Sequence, residues 1–425
     1  MTNVFPFPPD EGGKICVYGF VDYLRHFQNI HLFLPVSSPH QKKLVEEMKV
    51  NWPSVEIHTS EAYSVQKPST FNGRLLKTAK TSAYKAKTFI ESRTRVSSSP
   101  SGNEYPIRPV SPPFSRTFIG DLLKVLKSNR FDIIQMESTP ALNIVNIVPN
   151  GIKTVFVEME SLHSLIKDYR NLPGIDGDYI EYLSDYAKTA ELAFMSKYDA
   201  IFALSSSDEE KLSRLLPGKK IYNSSFPVLD KDIAEVMSDD FSIKRIVYMG
   251  RESHPPNKDA VVWFAKDILP ALKLSDDIEI LVTGQWHSKT IKHISSINSS
   301  IHFTGFVDDV KPLLKNSISI APIRLGGGGV RTKLIYAMAS NSPVVTTSVG
   351  AEGLMGKDEN GFMIADTAQE FANSVNAIMS DVKLSEALIR NGQNIVRTYY
   401  DQKLLAERRN KFYYEIIGGR EYSSM

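Results

Sequence analysis

Only one cysteine, Cys16, occurs in 425 residues. No disulfide can form within the chain, which suits a reducing compartment. No apolar run approaches the roughly 18–20 residues that a membrane-crossing helix needs. The opening residues, MTNVFPFPPDEGG, have neither the basic start nor the apolar stretch of a secretory leader. Neither sign of charge is in excess: 50 Lys and Arg face 48 Asp and Glu, so nothing pulls the chain as a whole towards nucleic acid. A Cys/His cluster with zinc spacing is missing. So is a G-x-G-x-x-G turn after the first strand, which sets a dinucleotide enzyme low. These lacks predict a cytoplasmic protein with no nucleic-acid partner and no metal; peripheral attachment to the inner face of the cell membrane stays open.

What the chain has in abundance is alternation. Its 42% hydrophobic and 23% charged residues are ordinary for a globular protein, and its length exceeds what one core supports. Strand patterns at 30–36, 55–59, 131–136, 153–158, 200–204 and 220–223 interleave with helical ones at 14–27, 41–50, 116–128 and 179–197. A second block repeats this, with strands at 245–249, 278–283, 301–304, 318–323, 343–347 and 362–365 and helices at 258–273, 310–315, 332–340 and 368–380. The reading is α/β: two Rossmann-like, doubly wound parallel-sheet domains facing each other across a cleft. The expected domains are 1–228 and 229–399. A final segment, 400–425, should return to the first domain, with a helix at 403–418 packing through Leu404, Leu405, Phe412, Tyr413 and Ile416.

An insertion at 67–116 interrupts the first domain. It holds ten Lys or Arg and only two acids, Glu91 and Glu104. Apolar residues at helical spacing from Phe71 to Ile90 make 67–95 a basic amphipathic helix, followed by a Ser/Pro-rich loop. Such a helix fits an anionic membrane surface, at about 1 kcal/mol per basic residue. Its alanine-rich apolar side fits equally well against its own domain.

The most informative run is 324–354, RLGGGGVRTKLIYAMASNSPVVTTSVGAEGL. It reads as a strand end, a glycine turn, a helix and another buried strand. Glycines let backbone N–H groups approach a ligand closely. A helix start supplies free N–H groups and the positive end of a dipole. Arg331 and Lys333 add two cations in the expected first turn, so phosphate is the favoured ligand. A plain surface turn would not need the strands that flank it.

These residues resemble the donor-site segment of GT-B glycosyltransferases of family 4, the glycosyl transferases group 1. The family pattern is a glycine cluster, Thr-Arg-x-Lys, a Glu-Ala-Met-Ala helix, Gly-x-Pro-Val-Val and a Gly-x-Glu-Gly-Leu turn. Here it becomes Gly327, Gly328 and Gly329, then Val330-Arg331-Thr332-Lys333, Tyr336-Ala337-Met338-Ala339, Asn341-Ser342-Pro343-Val344-Val345 and Gly350-Ala351-Glu352-Gly353-Leu354. Tyr336 stands where the family has the Glu that holds the ribose hydroxyls. A phenol offers one hydrogen bond but cannot chelate a diol as a carboxylate does.

The resemblance implies a retaining, metal-independent transferase in bacterial surface polysaccharide synthesis. It would take a nucleotide-diphosphate sugar as co-substrate, with no cofactor, and a glycan or lipid-linked oligosaccharide as acceptor. It places Arg251 and Lys258 on the leaving diphosphate, with Gly12 and Gly13 of the first loop facing the same group. It sets Phe306 and Val307 beside the nucleotide base and Glu352 in the donor turn. His163 and Glu160, after the strand at 153–158, are the acid–base candidates; caps or surface groups explain them as well. Asp176-Gly177-Asp178 matches the Asp-x-Asp of metal-dependent transferases, a triplet common by chance in loops. Ser205–Asp208 is both a recurrent family pattern and a capping box. A catalytically weakened scaffold, having lost its donor through Tyr336, is the alternative function.

Overall fold

The structure is a computed structural model that describes residues 1–2, 4–61, 113–171, 176–235, 242–326 and 329–419. The basic segment 67–95, most of the insertion around it, and Gly327 and Gly328 lie outside the described residues.

In the first half, β1 (His31–Pro35) and β2 (Glu56–Ser60) form a parallel pair, while β3 (Ile133–Glu137), β4 (Lys153–Glu158), β5 (Ala200–Ala203) and β6 (Lys220–Asn223) form a parallel four-stranded sheet. Thr2 joins the two, bridging Glu137 on one side and donating its N–H to the Phe33 carbonyl on the other. The helices here are α1 (Gly12–Leu24), α2 (Pro39–Asn51), α3 (Arg116–Ser128), α4 (Leu162–Lys167), α5 (Gly177–Met195) and α6 (Ser206–Leu215).

In the second half, β7 (Arg245–Met249), β8 (Glu279–Thr283), β9 (Ile301–Gly305), β10 (Ser317–Ala321), β11 (Val344–Thr346) and β12 (Met363–Ile364) make a parallel sheet ordered β12-β11-β10-β7-β8-β9. The order reverses beside β7, the kind of switch point where open α/β sheets bind ligands. Strand β10 is buried at all five positions, as a central parallel strand covered on both faces must be. The helices are α7 (Pro255–Trp263), α8 (Ser288–Ile297), α9 (Lys311–Leu314), α10 (Thr332–Ala339), α11 (Ala368–Ser380), α12 (Val382–Tyr399) and α13 (Gln402–Ile417). The α/β reading with parallel sheets in both halves holds, but the first half divides its strands between a parallel pair and a four-stranded sheet where one continuous sheet was expected.

Local departures have local causes. The helix expected at 258–273 stays α-helical only to Trp263. It then widens to a π-turn over Phe264–Ile268 and tightens to a 3-10 turn at Leu269–Ala271, where Pro270 withholds an N–H. Helices α4, α6 and α8, which are short, escaped the periodicity reading, and so did α12, although its Leu388, Ile389, Ile395 and Val396 recur at helical spacing and are buried. Among the described residues, no helix is long and apolar enough to cross a membrane.

Helix α13 runs back along α1. Gln402 Nε2 donates to the Gly19 carbonyl at 2.9 Å, Tyr23 hydroxyl to Glu407 at 3.0 Å and Gln28 to Asn410 at 2.7 Å. Arg409 is buried, its guanidinium 3.2 Å from the centroid of Phe20 and its Nε 2.6 Å from Ser224 Oγ. Leu405 and Ile416 are buried too, but Leu404, expected on the same face, points outward and is 47% exposed. Adjacent positions lie about 100° apart on a helix, and Leu405 takes the inner one.

Candidate functional site

Helices α1 and α10 begin against one another. A Cβ built on Gly12, the first residue of α1, would lie 3.0 Å from Oγ1 of Thr332, the first residue of α10. No side chain caps either start. By contrast, Ser38, Ser115, Asp176, Ser205, Thr367, Asp381 and Asp401 cap the starts of α2, α3, α5, α6, α11, α12 and α13. Two positive dipole ends without side-chain caps therefore share one spot, although the Thr332 and Leu334 N–H groups of α10 already donate to the Val330 and Arg331 carbonyls.

Cations gather there. Lys333 donates from Nζ to Asn257 Oδ1 at 2.8 Å and to the Tyr248 hydroxyl at 3.1 Å, and it sits 4.4 Å from the Tyr248 ring centroid. Loss of water around Nζ, with Arg331 beside it, pushes the ammonium down to about 7. Arg331 is the N-cap of α10, not a first-turn residue as expected. Its guanidinium fills the space where Gly326, at φ 137°, has no Cβ. His254 is lowered to about 4, first by burial and then by Lys333, Arg331 and Arg251. Its imidazole is neutral at pH 7 within a strongly positive field.

A cavity of about 610 Å³ opens beside these starts, lined by Glu11, Gly13, Thr139, Met159, Glu160 and Arg251 among others. Arg251 crosses it to pair with Glu11 at 3.2 Å. Gly329 and Gly353 both have left-handed φ, of 75° and 77°. A Cβ on Gly353 would come 3.1 Å from the Gly329 carbonyl, so the Glu352 turn closes on the glycine cluster.

The structure thus brings Gly12, Gly13, Glu160, Arg251, Arg331 and Lys333 around one cleft. Lys258 instead faces Glu252 at 3.6 Å. Phe306 is 51% exposed at the end of β9, with Val307 half-buried after it. Tyr336 is half-buried; its hydroxyl lies 3.4 Å from Asp232 Oδ2 and its ring packs edge-on to Phe226. The side chain that replaces the expected Glu therefore reaches the segment joining the two sheets.

His163 is held, not free. Its Nδ1 lies 2.7 Å from Glu191 Oε2 and 2.9 Å from Ser161 Oγ, while Glu191 also accepts the N–H groups of Leu162 and His163. Asp176 accepts the N–H groups of Asp178 and Tyr179, and Ser205 accepts that of Asp208, so both motifs act as caps. Sequence reading missed His254, Asn257, Tyr248 and Glu191 as partners. Tyr248 and Lys333 are 85 positions apart, and no local signal joins them.

Glu158 ends β4, 7% exposed. Burial pushes its carboxyl up to about 8, helped by Asp208 and Glu191 and opposed by Lys211. The folded protein therefore keeps a proton that the unfolded chain releases above pH 4.5, and stability falls as pH rises from about 4.5 to about 8. Glu158→Gln should flatten that slope and gain roughly 3 kcal/mol over the native chain at pH 8.5 but little at pH 4.5. Urea unfolding at the two pH values checks this; equal slopes for the two chains would refute it.

Residues 243–381 match the family model described as glycosyl transferases group 1. A relative from Klebsiella pneumoniae, an uncharacterized 44.6 kDa protein in the cps region, is 25% identical over 167 residues, covering 37% of this chain and 43% of its own. TarM of S. aureus, solved with fondaparinux, alpha-GlcNAc-glycerol and UDP, shares 12% identity over 70% of this chain and 59% of that one, with a TM-score of 0.55. HepE of Anabaena, solved with UDP and glucose, shares 14% identity over 97% of each chain, with a TM-score of 0.62. This chain spans less than two thirds of the length of both TarM and the Klebsiella protein. The chain has the GT-B fold, and its second half carries a segment, 243–381, that matches the glycosyl transferases group 1 model.

Proposed function

We propose that this protein is a retaining glycosyltransferase that moves a sugar from a nucleotide-diphosphate sugar to a glycan or lipid-linked acceptor, in bacterial surface polysaccharide synthesis. One observation carries the reading: two uncapped helix starts meet where Arg331, Lys333 and Arg251 converge. Negative charge grows on the diphosphate as the sugar–phosphate bond breaks, and fixed N–H groups and cations stabilise it as it develops. Protein cations do what a divalent metal would do elsewhere, so added magnesium should leave the rate unchanged. HepE and TarM were solved with UDP, and the Klebsiella relative lies in a cps region; both are in keeping with a UDP-sugar donor and a polysaccharide product. Glu160 lies on the cavity wall, and in this reading it would meet the acceptor hydroxyl. The basic segment 67–95 would bring the enzyme to the cytoplasmic face of the membrane, where lipid-linked acceptors sit.

The scaffold reading draws on Tyr336, whose hydroxyl faces Asp232. Calorimetric titration with UDP, GDP and their sugars separates the two. An active transferase binds at least one of them, and Tyr336→Glu keeps or improves that binding. No heat with any of them at millimolar ligand ends the transferase reading for those donors.

A further inference from the structure

The amino ends of β1 and β2 carry a second cluster of ligating side chains. Glu56 and His58 are two residues apart on β2, so they project from one face. His31 is the register partner of Glu56 on β1, which puts it on that face as well. His31 Nδ1 lies 3.0 Å from His58 Nε2 and 3.4 Å from Glu56 Oε2, and His58 Nε2 lies 3.8 Å from the same oxygen. Zinc bonds of 2.0–2.2 Å in a tetrahedron set neighbouring ligand atoms about 3.4 Å apart. The three separations bracket that value, and the shortest, the 3.0 Å hydrogen-bond contact between the two imidazoles, is one the ion would replace. All three atoms lie within 4.8 Å of one another.

We propose that His31, Glu56 and His58 bind a zinc ion as two imidazoles and one carboxylate, with water as the fourth ligand. Two imidazoles with a carboxylate suit zinc better than the all-oxygen ions magnesium and calcium. Both histidines line a cavity of about 360 Å³ between β1 and β3, which has room for the water. Arg130 and Asp132 line the same cavity, one charge of each sign, so the surroundings neither repel nor saturate the ion. Phe131 packs edge-on against His31 at 4.9 Å between centroids and fixes its plane. The site lies at the opposite end of these strands from the cleft, so its role is to clip β1 to β2. Among the described residues, that pair is linked by hydrogen bonds to the four-stranded sheet through Met1 and Thr2 only. A spacing search for zinc motifs passes over it because the ligands come from two strands.

The test uses the full chain, free of any histidine tag, dialysed against micromolar zinc. Bound metal is measured by atomic emission and the thermal midpoint with and without zinc. The native protein should hold one zinc per chain, unfold at a higher temperature with it, and show a tetrahedral absorption band when cobalt replaces it. Glu56→Gln with His58→Ala alters two partly exposed side chains and should fold normally by circular dichroism. It should lose more than the roughly 10–100-fold in zinc affinity that removing an outer-shell partner costs. UDP binding, at the other end of the domain, should not change. Native protein that takes up no more zinc than the double variant, or zinc uptake without a rise in the thermal midpoint, overturns the proposal.

Discussion

Lys333→Met should weaken UDP binding by roughly 10- to 150-fold, because a hydrogen bond to a charged group is worth about 1.5–3 kcal/mol. Lys333 lies in the first turn of α10, and Asn257 and Tyr248 aim its Nζ. Its pH signature is specific. With the free ammonium lowered to about 7, the site holds its charge below pH 7 and loses it above. UDP affinity should therefore fall as pH rises from 7 to 9, a range in which the diphosphate is already ionised. In Lys333→Met that fall should vanish. Stability moves the other way: the unfolded lysine keeps its proton up to about 10.5 while the folded one releases it near 7, so the native fold gains with rising pH across that window. Arg331→Ala should match the affinity loss, whereas Tyr336→Phe removes one neutral hydroxyl and should cost about 0.5–1.5 kcal/mol at most. Isothermal titration at pH 7, 8 and 9 reads all of this. A Lys333→Met protein that binds UDP as the native chain does would remove the diphosphate site from this position.

Arg409→Met should lower unfolding stability by roughly 2 kcal/mol or more, although it keeps an unbranched stem of similar length. A desolvated cation over an aromatic face is worth about 2 kcal/mol, and a charged hydrogen bond adds to it. Arg409 makes both, over Phe20 and to Ser224, and so joins α13 to α1 and to the chain leaving β6. Its loss also removes one of the two cations that act on the buried Glu137 carboxylate, leaving only the N-terminal ammonium of Met1. Urea midpoints of the two chains test this; a shift within error would mean that apolar packing alone holds α13.

The parallel strands were legible because parallel sheets bury both faces, leaving apolar runs such as Val155 to Val157 that need no partner to be recognised. Five strands or helices, at 153–158, 220–223, 245–249, 116–128 and 368–380, have the bounds that periodicity gave them. Arg331 and Lys333 were legible as candidates for a phosphate site for the same local reason: a glycine turn that opens a helix. Leu404 was misplaced because its face depends on the register of α13 against α1, a property of two helices and not of one.

From the sequence alone came the α/β class, the two blocks of alternating elements and the glycine-to-helix turn at 326–332, since each rests on residues a few positions apart. The packed chain decided the rest. Only folding brings the start of α1 against the start of α10, so that Gly12 meets Thr332 across 320 positions. Only burial, with neighbouring cations added to it, turns Lys333 into a group that titrates near neutrality and holds His254 unprotonated. Tyr336 shows the division most plainly. Its identity marked a departure from the family pattern, but its direction, towards Asp232, is set by how α10 packs against the segment between the two sheets. Charge and hydrogen bonding act through space, and sequence order does not record which distant residues will share it.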